Sequence, residues 1–114
     1  MDGHLEVEVE QSGETPVVRV VGEVDIATAP ALRERLEQVL ASATRVVVDL
    51  SEVTFLDSTG LSVLVGAWKQ LSGEDSEGDL RLVVVRPTIQ KVLEITGLDQ
   101  VFSVFATLAE ALAA

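Results

Sequence analysis

Two hydroxyl groups lie between an apolar run and an amphipathic run, in the stretch Asp57-Ser58-Thr59-Gly60. Asp57 or Ser58 could accept hydrogen bonds from the free backbone N–H groups of a following helical turn, as N-cap residues do. A phosphate on Ser58 would also suit this place, because a helix N-terminus favours negative charge by about 0.3–1 kcal/mol. The stretch therefore supports two hypotheses, a helix cap and a site of modification.

The residues that would make Ser58 a catalytic nucleophile are missing. The only histidine, His4, lies in an N-terminus that we expect to fray, so a Ser-His-Asp relay lacks a base. The G-x-S-x-G motif is absent, since Leu56 stands where it needs glycine. A pairing of Ser58 with Lys69 or Lys91 stays open, although the S-x-x-K spacing does not occur. We predict no catalytic residue and keep a serine hydrolase as the last alternative.

Motifs for cofactors and metals are missing as well. The chain has no cysteine and neither of the common glycine-rich nucleotide loops. A phospho-accepting Asp57 would need an adjacent acidic pair to hold a divalent cation, and the ends of the other apolar strands offer none. The polar loop at 72–79 does not match the calcium-loop spacing. Its acidic residues are Glu74, Asp75, Glu77 and Asp79. We predict no cofactor and no metal.

The charge of the chain narrows the classes of partner. Nineteen acidic residues against eight basic ones give a formal net charge of -11. This charge argues against nucleic acid and against anionic lipid, since both would be repelled. The charged N-terminal segment does not resemble a signal peptide, and no apolar run approaches the roughly 18 residues that span a bilayer. We expect a cytoplasmic protein.

Hydrophobic periodicity predicts strands that alternate with helices. Leu5, Val7 and Val9 alternate with glutamates, which is typical of a half-solvated edge strand, and a turn at 11–16 should pair it antiparallel with the next strand. The other predicted strands are 17–24, 45–50, 80–86 and 101–105. The predicted helices are 26–43, a second one from the Asp57 stretch to Leu71, a third from Pro87 to a stop at Gly97, and a fourth at 107–114. This order indicates one α/β domain over 1–114. Its mixed, mostly parallel sheet has an antiparallel N-terminal edge strand and about four helices.

The helix after Asp57 shows two different faces. Its core side carries Leu61, Leu64, Val65, Trp68 and Leu71. The opposite side presents Thr59, Ser62, Gly66 and Lys69 at helical spacing. A glycine at 66 costs about 1 kcal/mol of helix propensity relative to alanine, and small residues let another surface approach closely. We predict a docking face with Ser58 at its head. In the alternative interpretation, Gly60 and Gly66 relieve packing inside the chain.

Three segments together resemble the STAS-domain family of bacterial anti-sigma-factor antagonists. They are GEVDIATAP (22–30), VVVDLSEVTFLDSTGLSVL (46–64) and RPTIQKVLEITGLDQVF (86–102), and the resemblance covers nearly the whole chain. It implies that Ser58 is phosphorylated by a kinase that is also the anti-sigma factor. The unphosphorylated form would bind this kinase and free a sigma factor, and a serine phosphatase would restore it.

The resemblance also assigns residues to the partner surface. Asp25 matches the aspartate of the family's GE-x-D loop, and Asp57 matches the one before the phosphorylated serine. Ser62 stands where the family often has glycine, and Thr59 is a second residue that could be phosphorylated. With the docking face, the predicted partner-binding residues are Asp25, Asp57, Thr59, Gly60, Ser62, Gly66 and Lys69.

We therefore interpret the chain as a binding module switched by phosphorylation, and not as an enzyme. The alternative is a STAS module that acts as a constitutive subunit of a stressosome-like or transporter-associated assembly. In that case Ser58 would serve only at the start of a helix.

Overall fold

The computed structural model describes residues 4–72 and 79–113. In these ranges the chain forms β1 (Leu5–Ser12), β2 (Thr15–Val24), α1 (Ala29–Leu40), β3 (Arg45–Leu56), α2 (Ser58–Leu71), β4 (Asp79–Val83), α3 (Pro87–Thr96), a 3₁₀ helix (Leu98–Gln100), β5 (Ser103–Phe105) and α4 (Leu108–Ala113). Most of the predicted loop at 72–79 lies outside the described residues, with its acids Glu74, Asp75 and Glu77. None of the described helices is both long and apolar enough to cross a membrane.

The strands form one mixed sheet in the order β1-β2-β3-β4-β5. β1 pairs antiparallel with β2, and the other pairs are parallel. The predicted α/β class is confirmed, with its antiparallel edge strand and four helices. The predicted turn at 11–16 is too wide, because the hairpin pairs as far as Ser12 and Thr15. Gly13 between them has a φ of 61°, a value that glycine adopts at little cost.

Alternate strand residues divide the core between the two faces of the sheet. On one face, Val18, Val48 and Leu82 belong to a large cluster that includes buried residues of α1, α2 and α3. On the other face, Val47 and Val83 pack with α4. The predicted continuous apolar runs are thus strands covered on both faces, as parallel strands joined by helices require.

The ends of β3 and β4 and the start of β5 also differ from the prediction. β3 continues to Leu56, six residues beyond the predicted end at Leu50, because it stays paired with β2 as far as Val24. The pairing survives two register shifts, and Val53 and Leu56 are buried while the residues between them are exposed. β4 ends at Val83 and not at 86. β5 starts at Ser103 and not at 101, because the 3₁₀ helix and the turn after it occupy the preceding residues.

The first helix is shorter than the predicted run 26–43. α1 starts at Ala29, because residues 25–28 form a turn on the Asp25 carboxylate, and it ends at Leu40, where another turn follows. The ends of α3 follow their local signals closely. Pro30 lies in the first turn of α1, and Pro87 is the first residue of α3. Gly97 ends α3 in the left-handed conformation, with a φ of 77°. The predicted core side of α2 is confirmed, although Val65 and Trp68 are only half-buried. Val63 and Ala67 are buried as well, since α2 also packs against α1.

A buried arginine holds α4 on the second face of the sheet. Arg81 donates from Nε to the Asp79 carboxylate at 2.6 Å and from a terminal nitrogen to the Ala111 carbonyl at 2.6 Å. Its guanidinium lies 5.8 Å from the centre of the Phe105 ring. Arg81 therefore links β4 to β5 and α4.

Candidate functional site

Asp57, and not Ser58, caps α2. One oxygen of its carboxylate accepts hydrogen bonds from Thr59 N at 3.0 Å and Gly60 N at 3.1 Å. Ser58 is the first residue of the helix and is exposed, and its hydroxyl donates to no group in the described ranges. The Asp57 carboxylate thus caps the helix, and the Ser58 hydroxyl faces solvent.

A second loop, between β2 and α1, is organised by Asp25. Its Oδ1 accepts from Ala27 N at 2.9 Å and Thr28 N at 3.0 Å. The Thr28 hydroxyl accepts from Asp25 N at 2.9 Å and lies 2.8 Å from the Glu23 carbonyl oxygen. These bonds turn the Asp25 carboxylate inward, while Ile26 at the tip of the loop is 77% exposed. Asp25 thus positions the loop.

The two loops meet at the ends of β2 and β3. Asp57 N donates to the Val24 carbonyl at 3.2 Å, directly before Asp25. Gly60 lets the start of α2 pack closely against Leu56 and Val24. A Cβ at this position would lie 2.5 Å from Leu56 Cδ1 and 2.7 Å from Val24 Cγ1. Gly60 is buried and provides close packing. The structure therefore places it beneath the predicted docking face.

The remaining predicted docking residues follow one another along α2. Ser62, Gly66 and Lys69 are exposed, and Thr59 is half-buried. The Ser62 hydroxyl donates to the Ser58 carbonyl at 2.9 Å. Nothing lies within 4 Å of the place where a Gly66 Cβ would stand. The alternative interpretation, that glycine relieves internal packing, thus holds for Gly60 and fails for Gly66.

Sequence reasoning missed the supporting residues of the site. Val24 and Thr28 were not singled out, although they place the two loops. The three-residue separation of Asp25 and Thr28 is typical of an Asx turn followed by a helix, so a local signal for Thr28 was present. No comparable signal exists for Val24, because its contacts with Asp57 and Gly60 join residues more than 30 positions apart.

The described residues of the site form no cluster that could hold a metal. Across residues 4–72 and 79–113, no three side chains of the metal-ligating types come together. His4 is exposed, and its carbonyl accepts from Glu23 N in the β1–β2 hairpin. The site presents the exposed hydroxyl of Ser58 at a capped helix start, beside a loop that Asp25 holds by hydrogen bonds.

The chain is similar to known proteins over most of its length. The family model of the STAS domain matches residues 6–111. The anti-sigma-B factor antagonist of Bacillus subtilis is 31% identical over 103 residues, which are 90% of this chain and 93% of that protein. The crystal structure of an anti-sigma factor antagonist from Mycobacterium paratuberculosis is 36% identical, with a TM-score of 0.88, and the match covers 96% of this chain and 92% of the other.

One similar structure was solved in a modified state. It is that of the Bacillus cell fate determinant SpoIIAA in the phosphorylated form, which is 26% identical with a TM-score of 0.72. The match covers 95% of this chain and 97% of the other. From the family match and these relatives, the chain belongs to the STAS-domain family of anti-sigma-factor antagonists.

Proposed function

We propose that this protein is a cytoplasmic anti-sigma-factor antagonist switched by phosphorylation of Ser58. In its unphosphorylated form it binds an anti-sigma factor that is a serine kinase, and the bound sigma factor is released. Phosphorylation by the same kinase ends this binding, and a serine phosphatase restores it. The protein is a regulatory binding module and has no catalytic residue of its own.

The main observation behind the proposal is that Asp57 caps α2, which leaves the Ser58 hydroxyl exposed. A helix start needs a side chain that accepts from its free N–H groups, and Asp57 supplies it through two bonds. Ser58 is therefore not needed for capping and stays exposed. A kinase can reach its hydroxyl without unfolding the helix.

A phosphate on Ser58 should leave the fold intact. It would lie at the N-terminus of a 14-residue helix, where the dipole favours negative charge by about 0.3–1 kcal/mol. The Asp57 carboxylate opposes this effect by repulsion, so we expect a small net change in stability. The relative solved in the phosphorylated form is consistent with a fold that tolerates the group.

The phosphate should mainly weaken binding of the partner kinase. To phosphorylate Ser58, the kinase must bring the terminal phosphate of ATP to the Ser58 hydroxyl. A phosphoserine would occupy the same space and add nearly two negative charges beside the nucleotide. Loss of about 2.8 kcal/mol of binding free energy weakens a complex a hundredfold. One steric overlap together with that repulsion can supply this amount.

The surroundings of Ser58 suggest how the docking surface is built. Asp57 and Asp25 hold the two loops, and Gly60 lets the helix start pack closely against β2. Thr59, Ser62, Gly66 and Lys69 continue along α2 from the switch. We assign direct contact with the partner to the exposed members of this set and a positioning role to Asp25, Asp57 and Gly60.

Phosphosite mapping tests the proposal. The purified protein is incubated with Mg·ATP and each purified anti-sigma serine kinase of the source organism, and the modified residue is located by mass spectrometry. We expect phosphate on Ser58, none in Ser58→Ala, and normal phosphorylation in the control variant Ser42→Ala, at an exposed position after α1. Phosphate on Thr59 would move the switch by one residue. Binding without any phosphorylation would favour the constitutive scaffold.

A further inference from the structure

A groove runs beside α2 on the side of the 3₁₀ helix. It encloses about 410 Å³ and is lined by Leu61, Ser62, Val65, Gly66, Lys69 and Leu98. We propose that this groove seats a segment of the anti-sigma factor, with an apolar side chain between Val65 and Leu98 and a carboxylate on Lys69. This inference rests on the proposed function and names the contact that the partner makes beyond Ser58.

The walls of the groove fit an apolar side chain. Leu61 is largely buried, whereas Val65 and Leu98 are half-buried and pack against the edge of the main core. Burying their remaining apolar surface on binding is favourable, and the walls belong to regular elements, α2 and the 3₁₀ helix. The groove begins at Ser62, one helical turn after Ser58, so an occupant would continue directly from the phosphorylation site.

The rim of the groove carries a cation that fits an acidic partner group. Lys69 is exposed, and no carboxylate of the described ranges forms an ion pair with it. On a chain of net charge -11, such a lysine beside an apolar wall is complementary to a carboxylate flanked by apolar residues. Val65 and Lys69 are four residues apart, about 6 Å along the helix. The partner's apolar and acidic groups should therefore lie about 6 Å apart as well.

Gly66 leaves the approach to the groove open. It borders this groove and a smaller one of about 160 Å³ between α1 and α2. A Cβ at Gly66 would meet nothing within 4 Å, so the fold itself gives no reason for glycine in the middle of α2. A large side chain here would obstruct an occupant without disturbing the core.

Binding measurements on charge and steric variants test the inference. The probes are the purified anti-sigma serine kinases of the source organism, loaded with Mg·ADP, at about 50 mM and about 500 mM salt. We expect Lys69→Glu to raise Kd at least about tenfold at low salt and less at high salt. Lys91→Glu, the same charge change on the exposed part of α3, should alter Kd by less than about twofold. Gly66→Leu should raise Kd about tenfold at both salts, with a melting temperature no lower than that of the wild type.

The outcomes distinguish a failure of the groove assignment from a failure of the proposed phosphorylation switch. If Lys69→Glu matches Lys91→Glu, or if Gly66→Leu binds like the wild type, the groove assignment is wrong. Loss of binding in Ser58→Asp alone would then leave the proposed function standing. If the wild type neither binds any of these kinases nor is phosphorylated by one, the proposed function fails and the groove inference fails with it.

Discussion

Replacing each of two glycines in α2 by alanine should change stability in opposite directions. Gly60 and Gly66 lie on the same helix, and neither has a positive φ. Alanine improves helix propensity by about 1 kcal/mol at an interior position, so local preference alone predicts that both variants are more stable. The surroundings of the two positions lead to a different expectation.

The magnitude follows from what a new methyl group would meet. At Gly60 it would lie 2.5 Å from Leu56 Cδ1 and 2.7 Å from Val24 Cγ1, and Val24 is fully buried. Overpacking of this kind costs about 1–3 kcal/mol, and the two short contacts favour the upper end. Gly60→Ala should thus lose about 2 kcal/mol of unfolding free energy, because the propensity gain offsets part of the overlap. Gly66→Ala should gain about 1 kcal/mol, since its methyl group meets nothing.

Urea unfolding followed by circular dichroism measures both variants against the wild type. The expected separation is about 3 kcal/mol, or about 12 °C in melting temperature at about 4 °C per kcal/mol, without a change in m value. Gly60→Ala with wild-type or higher stability would refute the close packing of α2 on Val24. Gly66→Ala with lower stability would show that the space beside Gly66 is filled.

Three further changes test the parts of the site. Ser58→Asp should weaken kinase binding at least about a hundredfold, or about 2.8 kcal/mol, at nearly unchanged melting temperature. The control is Ser42→Asp, at an exposed position after α1. Equal affinity of the two variants for the kinase would contradict the switch. Asp25→Ala removes the acceptor of two backbone N–H bonds and should cost about 1–3 kcal/mol in urea unfolding, so wild-type stability would contradict its positioning role. Arg81→Met keeps an apolar stem but loses the bond to the Ala111 carbonyl, so amide hydrogen exchange should accelerate in α4 and not in α2. Unchanged protection of α4 would show that Arg81 does not hold it.

Local signals in the sequence were sufficient for the α/β class and for both ends of α3, but not for the ends of α1. Pro30, Pro87 and Gly97 act within one helical turn, and the apolar side of α2 follows from the period of the helix. Each of these features depends on residues that are neighbours in the chain.

The tertiary structure determines which glycine is closely packed, how far β3 extends and which residues line the groove. Gly60 and Gly66 have the same local preference. They differ because Leu56 and Val24 lie against Gly60, and Val24 is 36 residues before it in the chain. Pairing with β2 extends β3 to Leu56 and brings Asp57 next to Val24, across more than 30 residues of chain. The groove beside α2 likewise needs Leu98 from the far side of β4 and α3. Such contacts leave no periodic pattern in the sequence, because they join segments that meet only when the chain has folded.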